Sequence, residues 1–246
     1  MKNPSLTVIV FAILALLSFS CSLNMKRGNG EIVDEEIEVS EFDKINVGGN
    51  YDVVLIKSNE TKVVIKTDEN LIRYINVEIH DHMLSINSVH NLKGTDGILI
   101  KVFYEGLNKI YSSGASKIDH EGPLKSDDLQ INLSGAGAIA LDLETSEIDV
   151  TLSGAGVINL SGETDRQETH ISGAGGLMAK DLISKECNIT LSGLGGAEVY
   201  VTEKLTATIT GVGGIVFGGN PKLIEKQVTG FGKIERAKEY TLEENN

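Results

Sequence analysis

Leu129-Gln130-Ile131-Asn132-Leu133-Ser134-Gly135-Ala136-Gly137-Ala138-Ile139-Ala140-Leu141-Asp142-Leu143 is the stretch that decides the fold. Apolar residues fall at every second position on both sides of the glycines: Leu129, Ile131 and Leu133 before them, Ile139, Leu141 and Leu143 after. Period-two alternation marks a strand with one buried face. Ser134 to Gly137 leave room between the two strands only for a sharp corner. The same arrangement returns along the chain. Ile148, Val150 and Leu152 precede Ser153-Gly154-Ala155-Gly156, and Ile158 and Leu160 follow it. Cys187, Ile189 and Leu191 precede Ser192-Gly193-Leu194-Gly195, and Leu205, Ala207 and Ile209 precede Thr210-Gly211-Val212-Gly213. Further copies stand at Ser113-Gly114-Ala115-Ser116, Ser172-Gly173-Ala174-Gly175 and Thr229-Gly230-Phe231-Gly232, about 19 residues from copy to copy.

A single strand-corner-strand unit has no cover for its apolar face. Stacked units share one core and pair their backbones rung on rung. The expected fold class is therefore all-β, a single-stranded parallel β-helix (solenoid) with rungs of about 19 residues. Roughly seven or eight rungs at ~4.8 Å spacing would make a rod about 35–40 Å long. Glycine suits the corners for one of two reasons: a backbone with φ > 0, or a neighbour too close for a Cβ. The residues that open each corner (Ser134, Ser153, Ser172, Ser192, Thr210, Thr229) are expected to stack as a hydroxyl ladder, bonded to one another or to the corner backbone. The middle residue changes from Ala136, Ala155 and Ala174 to Leu194, Val212 and Phe231, which reads as growth toward a cap, with Phe231 over the last rung. Gly48-Gly49-Asn50 reads as a diverged earlier copy, since Lys44-Ile45 matches Lys109-Ile110 and Val53 matches Ile118.

Outward from this core the chain divides into five parts. Residues 111–234 hold the regular repeat, and 235–246 are charged and expected as a frayed tail. Residues 36–110 are strand-rich without the period, with candidate strands at Val53–Ile56, Val63–Ile65, Val77–Ile79 and Ile98–Val102 and a helical turn at Glu69–Tyr74; they read as irregular rungs or a β cap. Residues 1–20 read as an export signal: Lys2 is followed by an apolar run, Leu6 to Phe19, that is too short to span a membrane. The run ends in Leu17-Ser18-Phe19-Ser20-Cys21, which resembles a bacterial lipobox, with cleavage before Cys21 and lipid on its thiol. Residues 21–35 are expected as a flexible tether. Ser22, the second mature residue, resembles the sorting signal of outer-membrane lipoproteins.

Composition narrows the function classes. Hydrophobic residues make up 41% of the chain, enough to bury a core. The formal charge of -13 repels polyanions, which discounts nucleic acid and anionic headgroups as partners and leaves membrane contact to the lipid anchor. With no Trp and few aromatics, no cofactor pocket is expected. Cys187 lies in phase with Leu129 and Leu205 and reads as a buried core thiol.

Gly48-Gly49 with Asp52-Val53, the stretch Thr67-Asp68-Glu69-Asn70-Leu71 and the repeated Ser-Gly-x-Gly corners together resemble the head GIN domain family, autotransporter-type adhesins common in Bacteroidetes. The resemblance spans about Phe42 to Lys233. It implies a right-handed single-stranded β-helix akin in shape to pectin lyases, an adhesive role and no catalytic residues. The usual family corner is Ser-Gly-Gly-Ser followed by Asp, where this chain mostly carries Ala and Gly.

Rival chemistries find little support. Glycan cleavage needs two placed carboxylates, and Asp142, Asp149, Asp165 and Asp181 do not fall in one column of the repeat. A calcium roll needs Asp where Ile139, Ile158 and Leu177 stand. His80-Asp81-His82 reads as a solvated turn, without the further ligands that zinc requires, so no metal or cofactor is expected. Two outward polar columns remain. The candidate binding face is Asn132, Thr151, His170, Thr190 and Thr208, flanked by Gln130, Asp149, Glu168, Asn188 and Thr206. The sequence thus points to a non-catalytic lipoprotein of the bacterial cell envelope, at the outer membrane, that binds a glycan or a protein. The alternatives are a polysaccharide-active enzyme of β-helix type and a purely structural envelope scaffold.

Overall fold

The computed structural model describes residues 25–237. It is a parallel β-solenoid of about seven turns with rungs about 19 residues apart. Strand Ala138–Leu152 is one rung, bent in its middle: residues 138–143 lie on a first face and residues 147–152 on a second. Strands Lys117–Leu133, Val157–Ile171, Ala174–Leu191 and Leu194–Ile209 repeat the bend, and each pairs in parallel with the next. The residues matched by eye in the sequence are direct partners, Ile110 with Ile45 and Ile118 with Val53.

The interior is built of columns. Leu129, Ile148, Gln167, Cys187 and Leu205 form one; Leu133, Leu152, Ile171, Leu191 and Ile209 form another; every member is buried. Each buried Leu or Ile contributes about 1.5–3 kcal/mol over its exposed state. One rung breaks the apolar rule, because Gln167 and Thr169 point inward at 0% exposure. The intrusion is closed on itself: the Ser184 hydroxyl donates to Gln167 Oε1 (2.9 Å), and Gln167 Nε2 donates to Thr169 Oγ1 (3.2 Å). A buried polar group with its partners in place is tolerated.

Close stacking, rather than unusual dihedrals, explains the corner glycines. A Cβ on Gly135 would collide with the carbonyl oxygen of Gly114; on Gly154, with that of Gly135; on Gly173, with that of Gly154. The series continues through Gly193, Gly211 and Gly230. Among the corner glycines only Gly195 and Gly213 have positive φ. The approach is close because the ladder runs on through the bend: Ala136 N–H donates to Gly114 O (2.9 Å) and Ala155 N–H to Gly135 O (3.0 Å).

At this corner the expected hydroxyls bond backbone and not one another. Ser134, Ser153, Ser172 and Ser192 are exposed, and Ser134 Oγ and Ser192 Oγ donate to carbonyls of the preceding rung, Ser112 O (3.5 Å) and Ile171 O (3.4 Å). A hydroxyl column stands also at the opposite corner, where Ser126, Thr145, Thr164 and Ser184 are paired rung to rung. Thr145 Oγ1 lies 2.8 Å from Glu147 O, two residues on, and 3.0 Å from Asp127 O on the preceding rung. Such local bonds fix a bend without glycine.

The two ends differ. At the N-terminal end the rungs are covered by antiparallel strands. Lys62–Asp68 runs against Leu99–Tyr104, Ile32–Glu38 runs against Lys62–Asp68, and Asn76–His80 folds back on Met83–Asn87. From Met25 onward the expected tether is instead part of the fold, since Met25–Arg27 pairs in parallel with Asn91–Lys93. Buried Asp68 holds it: the carboxylate accepts from Gly30 N–H (2.7 Å), Thr95 N–H (2.8 Å) and the Thr95 hydroxyl (2.6 Å). Asn70 Nδ2 adds a bond to Arg27 O (2.9 Å). The leader, Cys21 and residues 238–246 lie outside the described residues.

At the C-terminal end Leu223–Val228 and Phe231–Arg236 leave open parallel edges, so strand structure extends to Arg236, beyond the point where the tail was expected to begin. Phe231 does not cap it: the ring is 83% exposed, because the middle corner residue points outward. Buried Phe217 lies under two cations instead, Lys226 Nζ at 4.5 Å and Arg236 Cζ at 5.3 Å from its ring centroid. Lys226 continues the inward column of Ala207.

Gly154→Ala should lower the urea midpoint by a change of at least about 1–3 kcal/mol, the cost of forcing an added group into a packed site. Gly106→Ala, with nothing within 4 Å of the new Cβ, should stay within about 0.5 kcal/mol. Equal losses would rule out close stacking as the cause. A second expectation concerns pH. Hydrogen bonds from Thr95, first from its hydroxyl, hold the Asp68 carboxyl below its ordinary value. The stabilisation it provides is therefore complete above the usual Asp range and lost as pH falls through the depressed folded value. Pulsed amide exchange should show Gly30 and Thr95 opening there ahead of the core, and Asp68→Asn should open them at neutral pH.

Candidate binding face

The outward residues of the second face fall into the columns read from sequence. Asn132, Thr151, His170, Thr190 and Thr208 are consecutive partners, and the column runs on to Tyr111 below and Gln227 above. Beside it stand Gln130, Asp149, Glu168, Asn188 and Thr206. Alternation along each strand turns these residues away from the core, and parallel register sets them one rung apart.

The two columns are cross-linked by polar contacts. Asn188 Nδ2 donates to Glu168 Oε1 (2.8 Å), and His170 Nε2 stands 3.2 Å from the same oxygen. The Tyr111 hydroxyl donates to Gln130 Oε1 (3.3 Å). A third column adds alternating charge: Glu147, Arg166, Glu186 and Lys204, with Arg166 Nη1 3.7 Å from Glu147. Between the second and third columns runs a shallow groove. One part, about 470 Å³, is lined by residues including Gln130, Glu147, Asp149, Arg166 and Glu168. The next, about 460 Å³, continues past Asn188, Lys204 and Thr206.

Asp149 is the residue whose importance the sequence reading did not isolate. Its Oδ1 is buried and has no hydrogen-bond partner among the described residues. An acceptor withdrawn from water without a donor costs about 1–3 kcal/mol. No sequence signal marks this, because Asp149 differs from its neighbours only in its surroundings.

Other candidate chemistry is dispersed. The four carboxylates do not fall in one column, as expected, although Asp142 and Asp181 share one, with Ser161 between them. An extra residue shifts the register between Asn159 and Ser161, which moves Asp181 into line. Both carboxylates are exposed, and Asp142 accepts a bond from Ser161 Oγ (3.1 Å). Both line an open depression of about 510 Å³ with His120, Leu141, Leu160 and Lys180. His80-Asp81-His82 is the hairpin bend, with Asp81 and His82 in the left-handed region (φ 50° and 60°). His120 has both ring nitrogens engaged, Nε2 with the Tyr104 hydroxyl (2.6 Å) and Nδ1 with Gly122 O (2.7 Å). Cys187 is 2% exposed, and burial pushes its thiol up to about 12.

A family model described as "Putative auto-transporter adhesin, head GIN domain" matches residues 41–221. No curated protein matches the chain. Among solved structures, a "putative adhesin" of Bacteroides fragilis NCTC 9343 superposes with a TM-score of 0.83 at 24% identity, over 86% of this chain and 100% of its own. A "putative lipid binding protein" of Parabacteroides distasonis ATCC 8503 gives 0.71 at 26%, over 87% and 100%. A "putative adhesin" of Parabacteroides merdae ATCC 43184 gives 0.69 at 25%, over 87% and 100%.

The Cys187 thiol should resist alkylation at neutral pH while the protein is folded and react once urea unfolds it. Peptide mass mapping reads this directly. Fast labelling of Cys187 in the native state would contradict its burial.

Proposed function

This chain belongs to the head GIN domain family, and we propose from that premise that it is a non-catalytic binding module of the bacterial cell envelope, held to the outer membrane through lipid on Cys21. Its second face is the ligand surface. One observation carries the reading: a polar groove kept in register over successive rungs. A shallow, extended groove suits a polymer rather than a small substrate, since small-molecule sites are concave and largely apolar. The rows of carboxylate and amide groups offer acceptors to the hydroxyls of a glycan or to the N–H groups of a protein segment. The neighbours' printed descriptions as adhesins support the same class of role.

Two measurements test this. Protease added to intact cells should digest the domain if it is displayed for adhesion, and full protection would defeat that reading. On a glycan array and against extracted surface proteins, the full chain should retain a ligand that Asp149→Ala and Thr151→Lys weaken about tenfold or more, the scale of one or two lost hydrogen bonds. Thr151 faces outward, so its substitution should leave folding unchanged within about 0.5 kcal/mol, and Asp149→Ala, which removes an unpaired buried acceptor, should not destabilise the fold. Binding untouched by either substitution would place the ligand elsewhere.

A further inference from the structure

The end of the molecule at Met25 has a character the rest of the surface lacks. Lys26 Nζ and Arg73 Cζ lie 5.5 Å and 5.1 Å from the centroid of the Tyr74 ring. Arg27 pairs directly with Lys93, both exposed. Like charges set opposite one another on neighbouring strands are unfavourable unless an anion joins them. None of these four cations forms a salt bridge among the described residues, and here they stand together. Two apolar side chains stand out beside them: Met25 is 40% exposed, and Val89, two residues before the partner of Met25, is 91% exposed. In both strands the carboxylates, Glu31 and Asp96, come only after the cations.

The strap described above gives this patch a direction. Asp68 and Asn70 fix the chain from Arg27 to Gly30. Only three residues separate Cys21 from Met25, four Cα steps with a reach of about 14 Å fully extended. A domain held that closely cannot tumble freely above its anchor, and the surface next to the anchor must lie near the lipid.

We propose that this end, with Lys26, Arg27, Arg73, Lys93, Met25 and Val89, docks on the anionic phospholipid headgroups of the leaflet that holds the Cys21 acyl chains. The inference rests on the lipoprotein reading above. Four cations meet phosphates, Tyr74 sits at headgroup level, and Met25 and Val89 reach the acyl boundary, as interfacial surfaces are built. The net charge of -13 does not oppose this. Surface charge acts over about 8 Å at physiological salt, so the local patch is attracted while the acidic remainder is pushed away. The C-terminal end and the binding groove are thereby held out from the membrane.

The test uses the full chain, purified in its lipidated form and reconstituted into phosphatidylcholine vesicles with or without phosphatidylglycerol. A nitroxide on Val89→Cys is compared with one on Phe231→Cys; buried Cys187 is not labelled. With phosphatidylglycerol, the label at 89 should be shielded from a water-soluble relaxation agent and the label at 231 should not. Arg27→Gln and Lys93→Gln should each cut the docked fraction about fivefold relative to the undocked. Equal exposure of both labels on lipidated protein overturns the proposal alone. So does shielding that is indifferent to phosphatidylglycerol, or that appears without vesicles as concentration rises, which would mark a second copy as the occupant. A mass showing Cys21 without acyl chains overturns the anchor reading and the proposal with it.

Discussion

The structure depends on one contact, the stacking of a corner glycine on the carbonyl oxygen of the rung before it. Where Gly135 meets Gly114 there is no space for even a methyl group. That clearance lets the hydrogen-bond ladder pass through the bend without interruption, and an unbroken ladder keeps equivalent residues one above another. The buried columns, the outward polar columns and the groove between them all follow from this alignment. The opposite corner reaches the same end by other means, through Ser and Thr hydroxyls bonded to nearby carbonyls. One bend is thus made by leaving side chains out and the other by a side chain that bonds its own backbone.

Function is distributed in keeping with that regularity. A solenoid cannot easily gather three side chains into a catalytic cluster, because each rung presents its residues in rows. Such a fold does extended recognition well, since repeated acceptors can follow a repeating ligand. Departures from the rows are therefore informative. Asp149 Oδ1 is buried without a donor, and Arg27 faces Lys93 on the strand that begins at Met25. Each is locally unfavourable.

Much of this was legible in the sequence because two periods, of two and of about 19, show in residue types alone. The match of Lys44-Ile45 to Lys109-Ile110 became direct strand pairing. What stayed hidden had physical causes. Gln167 sits at an inward position and looks polar, since the partner that satisfies it, Ser184, belongs to the next rung. Asp142 and Asp181 fall into one column only after a register shift that a fixed period does not contain. The size trend ending at Phe231 was read as a cap, but residue type does not state which way a corner points. The strap on Met25–Gly30 depends on Asp68 and Asn70, some 40 residues away, and was invisible to a local reading.

Lys226 and Arg236 carry a last consequence. Among the described residues the last rung has no strand paired beyond it, and such parallel edges, spaced as in a cross-β fibre, recruit further strands. A charge held in the inward column, as Lys226 is above Ala207, must be stripped of water before any newcomer can pair. A chain can in this way adopt the internal order of a filament and still end, so that its length is written in its gene and not set by growth at a seed.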